Sequence, residues 1–167
     1  MVGYEGMTGL SVVLGDDRSV NEALVQASGT AMRITADALR KMIAASPSLS
    51  VSLLRYVNVF MVQGNQTALA NGRGKLEERL ARWLLMWDDR LRPSTLHITH
   101  EFLALLLGVR RPGVSDTVAV LESKGLIRAT RAEVFIRNRR GLKLLANGFY
   151  GIPEAEYDRL LGAEQVS

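Results

Sequence analysis

Arg110 and Arg111 stand beside Pro112 and Gly113, with Ser115 and Asp116 just beyond. An arginine carries five N–H donors in a flat fork, a shape that can grip the O6 and N7 edge of guanine. A serine hydroxyl and an aspartate carboxylate add further hydrogen-bonding groups. Gly113 and Ala119 keep the same surface low. Such a set suits the reading of a polymer edge rather than the breaking of a bond. Reaction chemistry has no comparable cluster. There is no phosphate-cradling nucleotide loop, no His-Glu metal spacing and no nucleophile beside a base. With two histidines and no cysteine, neither a transition-metal site nor an enzyme is expected.

Residues 98–127 must hold this set in place, and they read as a helix-turn-helix. Thr99 can cap a first helix that carries Leu103, Leu106 and Leu107. Ala104 is small where a second helix must cross, and Gly108 stands where the chain must turn. Pro112 fits the first turn of the second helix, where no N–H is needed. Val114, Val118 and Leu121 bury one face and leave Arg110, Arg111, Gly113, Ser115, Asp116 and Ala119 outside. A helix of that kind can enter a DNA major groove about 12 Å wide. Residues 125–128 and 133–137 then read as two short strands flanked by basic side chains, the wing of a winged helix. Phosphate contacts from a wing fix register without reading sequence. Two packed core helices would explain the apolar spacing alone. The turn glycine, basic helix start and basic hairpin together favour the DNA reader.

Upstream, a helix is expected from Lys75 to Arg90, with Leu76, Leu80, Trp83, Leu84 and Trp87 on its buried face and Glu78 paired to Arg82. Both tryptophans are read as packing residues. Arg92-Pro93-Ser94 reads as a turn, and residues 96–98 as a short strand joining the wing. Asn71-Gly72-Arg73-Gly74 is a glycine-rich break and the expected hinge. Before it, Ser46 and Pro47 open a long helix. Leu53, Leu54, Val57, Phe60, Met61, Gly64 and Ala68 recur along it at helical intervals. A stripe that long suits pairing with a second copy, and burial against the chain's own N-terminal strands is the alternative. Residues 1–34 read as short strands and turns, with Gly3, Gly6, Gly9, Gly15 and Gly29 punctuating pairs such as Val12-Val13 and Leu24-Val25. Thr35 caps a short helix. Asn138 caps a late one with Leu142, Leu144 and Leu145, and residues 153–161 add a turn or two. The expected class is mainly α with small β elements (α+β). Its three parts are residues 1–45, 46–72 and 73–167.

Charge is unevenly placed. Residues 1–72 hold five basic and five acidic side chains, whereas residues 97–143 hold nine basic against four acidic. A basic half suggests a polyanionic partner for it. The lack of cysteine removes disulfides, thiolate metal sites and iron–sulfur clusters. No apolar run approaches a membrane span and no signal peptide is visible, so the cytoplasm is the expected compartment.

With these pieces in order, the chain resembles the cyclic-AMP receptor/FNR (Crp/Fnr) family of bacterial transcription regulators. The resemblance covers LEERLARWLLMWDDRL from Leu76, the motif LGVRRPGVS from Leu107 and the wing ending in RNRRGL from Arg137. GYEGMTGL from Gly3, with residues 25–39, looks like the last strands of the family's effector-binding β-roll and the helix after it. The family places that β-roll first, then a long dimerisation helix, then a winged helix-turn-helix. On this resemblance, about two-thirds of the β-roll is expected to be missing from the stretch that starts at Met1. Members that bind cyclic nucleotides pair the phosphate with an arginine, and the matching position holds Asn21. Asparagine supplies neither the charge nor the fork, so no cyclic-nucleotide cofactor is expected. Where well-known members read a TGTGA-like half-site with an Arg-Glu pair and a second arginine, this chain has Arg111, Pro112 and Asp116. Arg111 keeps the ability to make a bidentate contact to guanine, while Pro112 cannot accept from cytosine as glutamate does and Asp116 reverses a charge.

The resemblance implies a homodimer on double-stranded DNA with a dyad-symmetric operator of altered sequence, and RNA polymerase as a further partner. It makes Arg111 the main base reader, with Gly113, Ser115 and Asp116 beside it. Thr99, His100 and Arg110 fall where the family contacts phosphate, and Arg128, Arg131 and Arg137 would hold the wing on the backbone. His100 is alternatively an exposed cap residue, and His97 is read as structural. Arg139 and Arg140 could pair with Glu133 or the last helix rather than with DNA. The rival is a dimerisation or interaction module that tunes full-length relatives through residues 53–68 without touching DNA.

Overall fold

The computed structural model of the chain describes residues 1–91, 95–130 and 133–162. In order its elements are α1 (Ala36–Ala45), α2 (Pro47–Arg73), α3 (Leu76–Arg90), β1 (Thr95–His97), α4 (His100–Leu107), α5 (Arg111–Ser123), β2 (Ile127–Ala129), β3 (Glu133–Ile136), α6 (Arg139–Leu145) and α7 (Ile152–Leu161). The class is therefore mainly helical with a small sheet. By compactness the chain divides into two units, Gln63–Ile152 with Met1, and Val2–Val62 with the chain from Pro153 on. That division falls inside α2. Neither boundary expected from the sequence, at residue 45 or at residue 72, coincides with it.

In the first unit, α3 is the central strut. Leu80, Leu84 and Leu85 on it, Leu103 on α4, Val114 and Leu121 on α5 and Leu142 on α6 are all 0–1% exposed. Full burial of one such leucine is worth about 1.5–3 kcal/mol, and six of them sit in this one core. The rings of Trp83 and Trp87 pack 5.0 Å apart, which bears out their reading as packing residues. Glu78 and Arg82 do not serve as the expected pair. Glu78 accepts from Lys75 N at 2.8 Å and from Asn147 Nδ2 at 3.1 Å. Arg82 turns inward, donating to Phe149 O at 2.9 Å and Thr67 Oγ1 at 3.0 Å.

The expected hinge is also displaced. Helix α2 continues through Asn71, Gly72 and Arg73, and the break comes at Gly74 and Lys75. A helical glycine costs about 1 kcal/mol, and tertiary contacts outweigh it. Ala70 is 2% exposed, and Asn71 Oδ1 accepts from Arg79 Nε at 3.2 Å.

The sheet has the order β1-β3-β2, antiparallel throughout. Thr95 lies opposite Phe135 and His97 opposite Glu133, so the segment before α4 does join the wing, one residue earlier than expected. Gly141 admits α6 against the sheet's base. A Cβ there would lie 2.4 Å from Leu126 Cδ2. The expected turn at Arg92-Pro93-Ser94 lies outside the described residues.

In the second unit, Thr35 Oγ1 accepts from Ala38 N at 3.3 Å and Ser46 Oγ from Leu49 N at 3.3 Å, so both expected caps form. Tyr56 Oη accepts from Met7 N at 3.1 Å, and Tyr157 Oη donates to Glu5 O at 3.1 Å. Burial raises the Tyr157 pKa, and Glu5, Tyr4 and Asp158 raise it further, so the phenol stays protonated as the donor. The strands expected in residues 1–34 do not form, and the stretch consists of turns and irregular chain. The likeness of GYEGMTGL to the last β-roll strands has no counterpart in strand structure. Each apolar pair there lacks a neighbouring strand to hydrogen-bond, and a lone hairpin is marginal in water.

Candidate nucleic-acid interface

Helix α4 begins at a real cap, with Phe102 N donating to Thr99 Oγ1 at 3.2 Å. It ends at Gly108, whose φ of +63° lies in the left-handed region that a side chain disfavours. Val109 N then returns to Ala104 O at 3.0 Å, and Ala104 is buried where α5 crosses. Arg110 is the N-cap of α5 and makes no side-chain cap bond. Thr117 points inward and donates to Gly113 O at 2.7 Å. With Val114, Thr117, Val118 and Leu121 buried, the opposite face is fixed. Arg110, Arg111, Asp116 and Ala119 are exposed, and Gly113 and Ser115 are half-buried.

Two side-chain links tie the start of α4 to this face. His100 Nδ1 lies 2.9 Å from Ser115 Oγ. Arg111 Nε lies 2.6 Å from Glu101 Oε1. A cleft of about 290 Å³ opens here, lined by Glu101, Arg111, Ser115, Ala119, Glu122 and Thr130 among others. Glu122 joins α5 to the wing, accepting from Ala129 N at 2.7 Å. Sequence reasoning misses both Glu101 and Glu122. The available signal is their place, one in the first turn of α4 and one near the end of α5.

On the wing, Arg128 and Arg137 are exposed. Arg131 lies outside the described residues, as does the side chain of His97. Arg139 is engaged elsewhere than with Glu133 or the last helix, forming ion pairs with Asp88 and Asp89 of α3. Its Nη2 also donates to Tyr150 Oη at 2.9 Å. Burial would lower its pKa, but Asp89, Tyr150 and Asp88 outweigh that and raise it. Arg139 is thus a structural cation.

The proposed pairing residues divide on α2. Leu54, Phe60 and Met61 in the second unit are exposed at 49%, 38% and 60%. Gly64 and Ala68, which fall in the first unit, are also exposed. Val57 is covered within its own chain at 6%, and Leu53 is half-buried.

Residues 78–145 match the model of the Crp-like helix-turn-helix domain. Among solved structures, the fold is similar to a CRP-family transcriptional regulator from Thermus thermophilus. The two are 24% identical with a TM-score of 0.50, over 57% of this chain and 52% of that one. A Crp/Fnr-family regulator from Eubacterium rectale is 22% identical, with a TM-score of 0.49 over 69% of this chain and 53% of its own. The catabolite activator protein of Thermus thermophilus is 24% identical, with a TM-score of 0.40 over 67% and 51%. The chain spans about half the length of these structures. No curated protein sequence matches it. Among the described residues, no helix is long and apolar enough to cross a membrane.

Proposed function

We propose that this chain is a sequence-specific DNA-binding transcriptional regulator that engages a dyad-symmetric operator as a homodimer, with α5 in the major groove. The observation that carries it is the start of α5. Arg110, Arg111 and Asp116 all face solvent there, within a Crp-like helix-turn-helix. Arg111 is the base reader, directed at guanine. Gly113 lets the helix approach closely, and Ser115 and Asp116 read neighbouring bases, the carboxylate accepting from a cytosine amino group. Thr99, His100 and Arg110 contact phosphate, as do Arg128 and Arg137 on the wing. The exposed residues Leu54, Phe60, Met61, Gly64 and Ala68 form the pairing face. The output is exerted through RNA polymerase at a promoter.

The test is DNA affinity against salt. Several phosphate contacts predict a steep linear fall of log affinity with log salt concentration. A weak, flat dependence sinks the DNA reading in favour of the interaction module. Sites selected from random DNA should contain two inverted half-sites spaced by about one helical turn, roughly 34–36 Å, or a multiple of it. Single half-sites would remove the homodimer. Replacing Phe60 by Asp should shift the dimer to monomer in sedimentation, and an intact dimer would reject α2 as the pairing face.

A further inference from the structure

Taking α5 as the DNA reader proposed above, we infer that Glu101 is a specificity-determining residue that holds Arg111 by its Nε edge, so that only Nη1 and Nη2 are presented to a base. The contact is Nε to Oε1 at 2.6 Å, and the two side chains are 63% and 66% exposed. Among the described residues, Glu101 is the one side chain paired with Arg111.

An arginine can approach the guanine edge end-on, through both terminal nitrogens, or side-on, through Nε and one terminal nitrogen. A carboxylate seated on Nε removes the second mode. It also opposes a third use of the same side chain. A free, exposed arginine beside a duplex can swing to a phosphate, a contact that carries no sequence information. Glu101 weakens that attraction by placing a negative charge at the guanidinium and near the DNA backbone. Both effects lower binding to random DNA more than binding to the correct base. A pair this exposed contributes little to folding, so its consequence is direction rather than stability. His100, one residue earlier, is fixed to Ser115 at 2.9 Å, which anchors this turn of α4 against the same face of α5.

The experiment uses the full chain and two duplexes of equal length, one carrying the site selected from random DNA and one with that sequence scrambled. Affinities are measured by fluorescence anisotropy over a salt series for four proteins: wild type, Glu101→Gln, Arg111→Ala and the double variant. Glu101→Gln should bind the scrambled duplex more tightly and lower the selected-to-scrambled affinity ratio about tenfold, the scale of one bidentate base contact. In the Arg111→Ala background the same change should leave that ratio where it was. An unchanged ratio in the first background, or an equal fall in both, overturns the role of Glu101. A wild-type protein with flat salt dependence and no preference between duplexes overturns the DNA reading itself, and the role of Glu101 with it.

Discussion

The stretch from Gln63 to Ile152 and the first 35 residues are both rich in aliphatic side chains, yet they meet different fates. In the first, Leu80, Leu84, Leu103, Leu121 and Leu142 recur at helical spacing and end at 0–1% exposure. In the second, Val20, Leu24, Val25 and Met32 stay 94%, 60%, 81% and 102% exposed. A three-and-four repeat places successive leucines on one side of a helix, where a single facing helix covers them all. An adjacent pair such as Leu24-Val25 points to both sides of any strand it forms, so it needs two covers and a neighbouring strand. Hydrophobic content alone does not bury a residue; the repeat and a facing surface do.

The sharpest way to break this contrast is one truncation in each region. Leu121→Ala should cost about 2–5 kcal/mol in urea unfolding, since its cavity cannot collapse among α3, α4 and α5. Val25→Ala should cost no more than about 0.5 kcal/mol. Equal costs would mean that the N-terminal stretch has a core of its own. The next effect leaves stability alone. Arg111→Ala should lose about 1–3 kcal/mol at the selected DNA site and relax the base choice there, with the unfolding midpoint unmoved. An unchanged footprint and preference would remove Arg111 as the reader. A smaller effect belongs to Thr99→Ala, which frees the amide of Phe102 and should cost about 1 kcal/mol of stability. No loss would show that Glu101 or His100 supplies the cap instead.

What is legible in the chain is local. Ser46, Thr99 and Asn138 each have a hydroxyl or amide oxygen where a helix must start, and each accepts the expected bond. Gly108 and Pro112 mark a turn and a first helical turn by backbone chemistry that few residues share. The short strand before α4 falls within one residue of its expected place, at Thr95–His97, and pairs with β3. What stays hidden is non-local or decided by competition. Gly72 looks like a stop, yet α2 stays helical through it, with Ala70 buried and Asn71 Oδ1 accepting from Arg79 Nε on the next helix. Arg139 finds Asp88 and Asp89, 51 and 50 residues away, a pairing that no spacing rule reaches. Glu101 lies within the motif, yet spacing alone gives it no role. An acidic residue ten positions before Arg111 becomes its partner only when α4 and α5 cross.

Two arginines near the end of β3 bring the contrast down to single side chains. Arg137 has its backbone fixed, with N donating to Leu126 O at 2.9 Å, and its side chain is exposed. Arg139 is two residues on and spends its guanidinium on Asp88 and Asp89. A cation that meets phosphate releases counterions, whereas one already neutralised inside the protein does not. Arg137→Ala should therefore weaken binding to selected and scrambled duplexes alike and reduce the salt slope by about one, with the unfolding midpoint unchanged. Arg139→Ala should do the reverse, lowering the midpoint because Asp88 and Asp89 lose the cation between them, and leaving the slope as it was. If Arg137→Ala instead destabilises the fold at constant slope, the wing is a structural hairpin. The phosphate contacts would then have to come from α4 and the start of α5 alone.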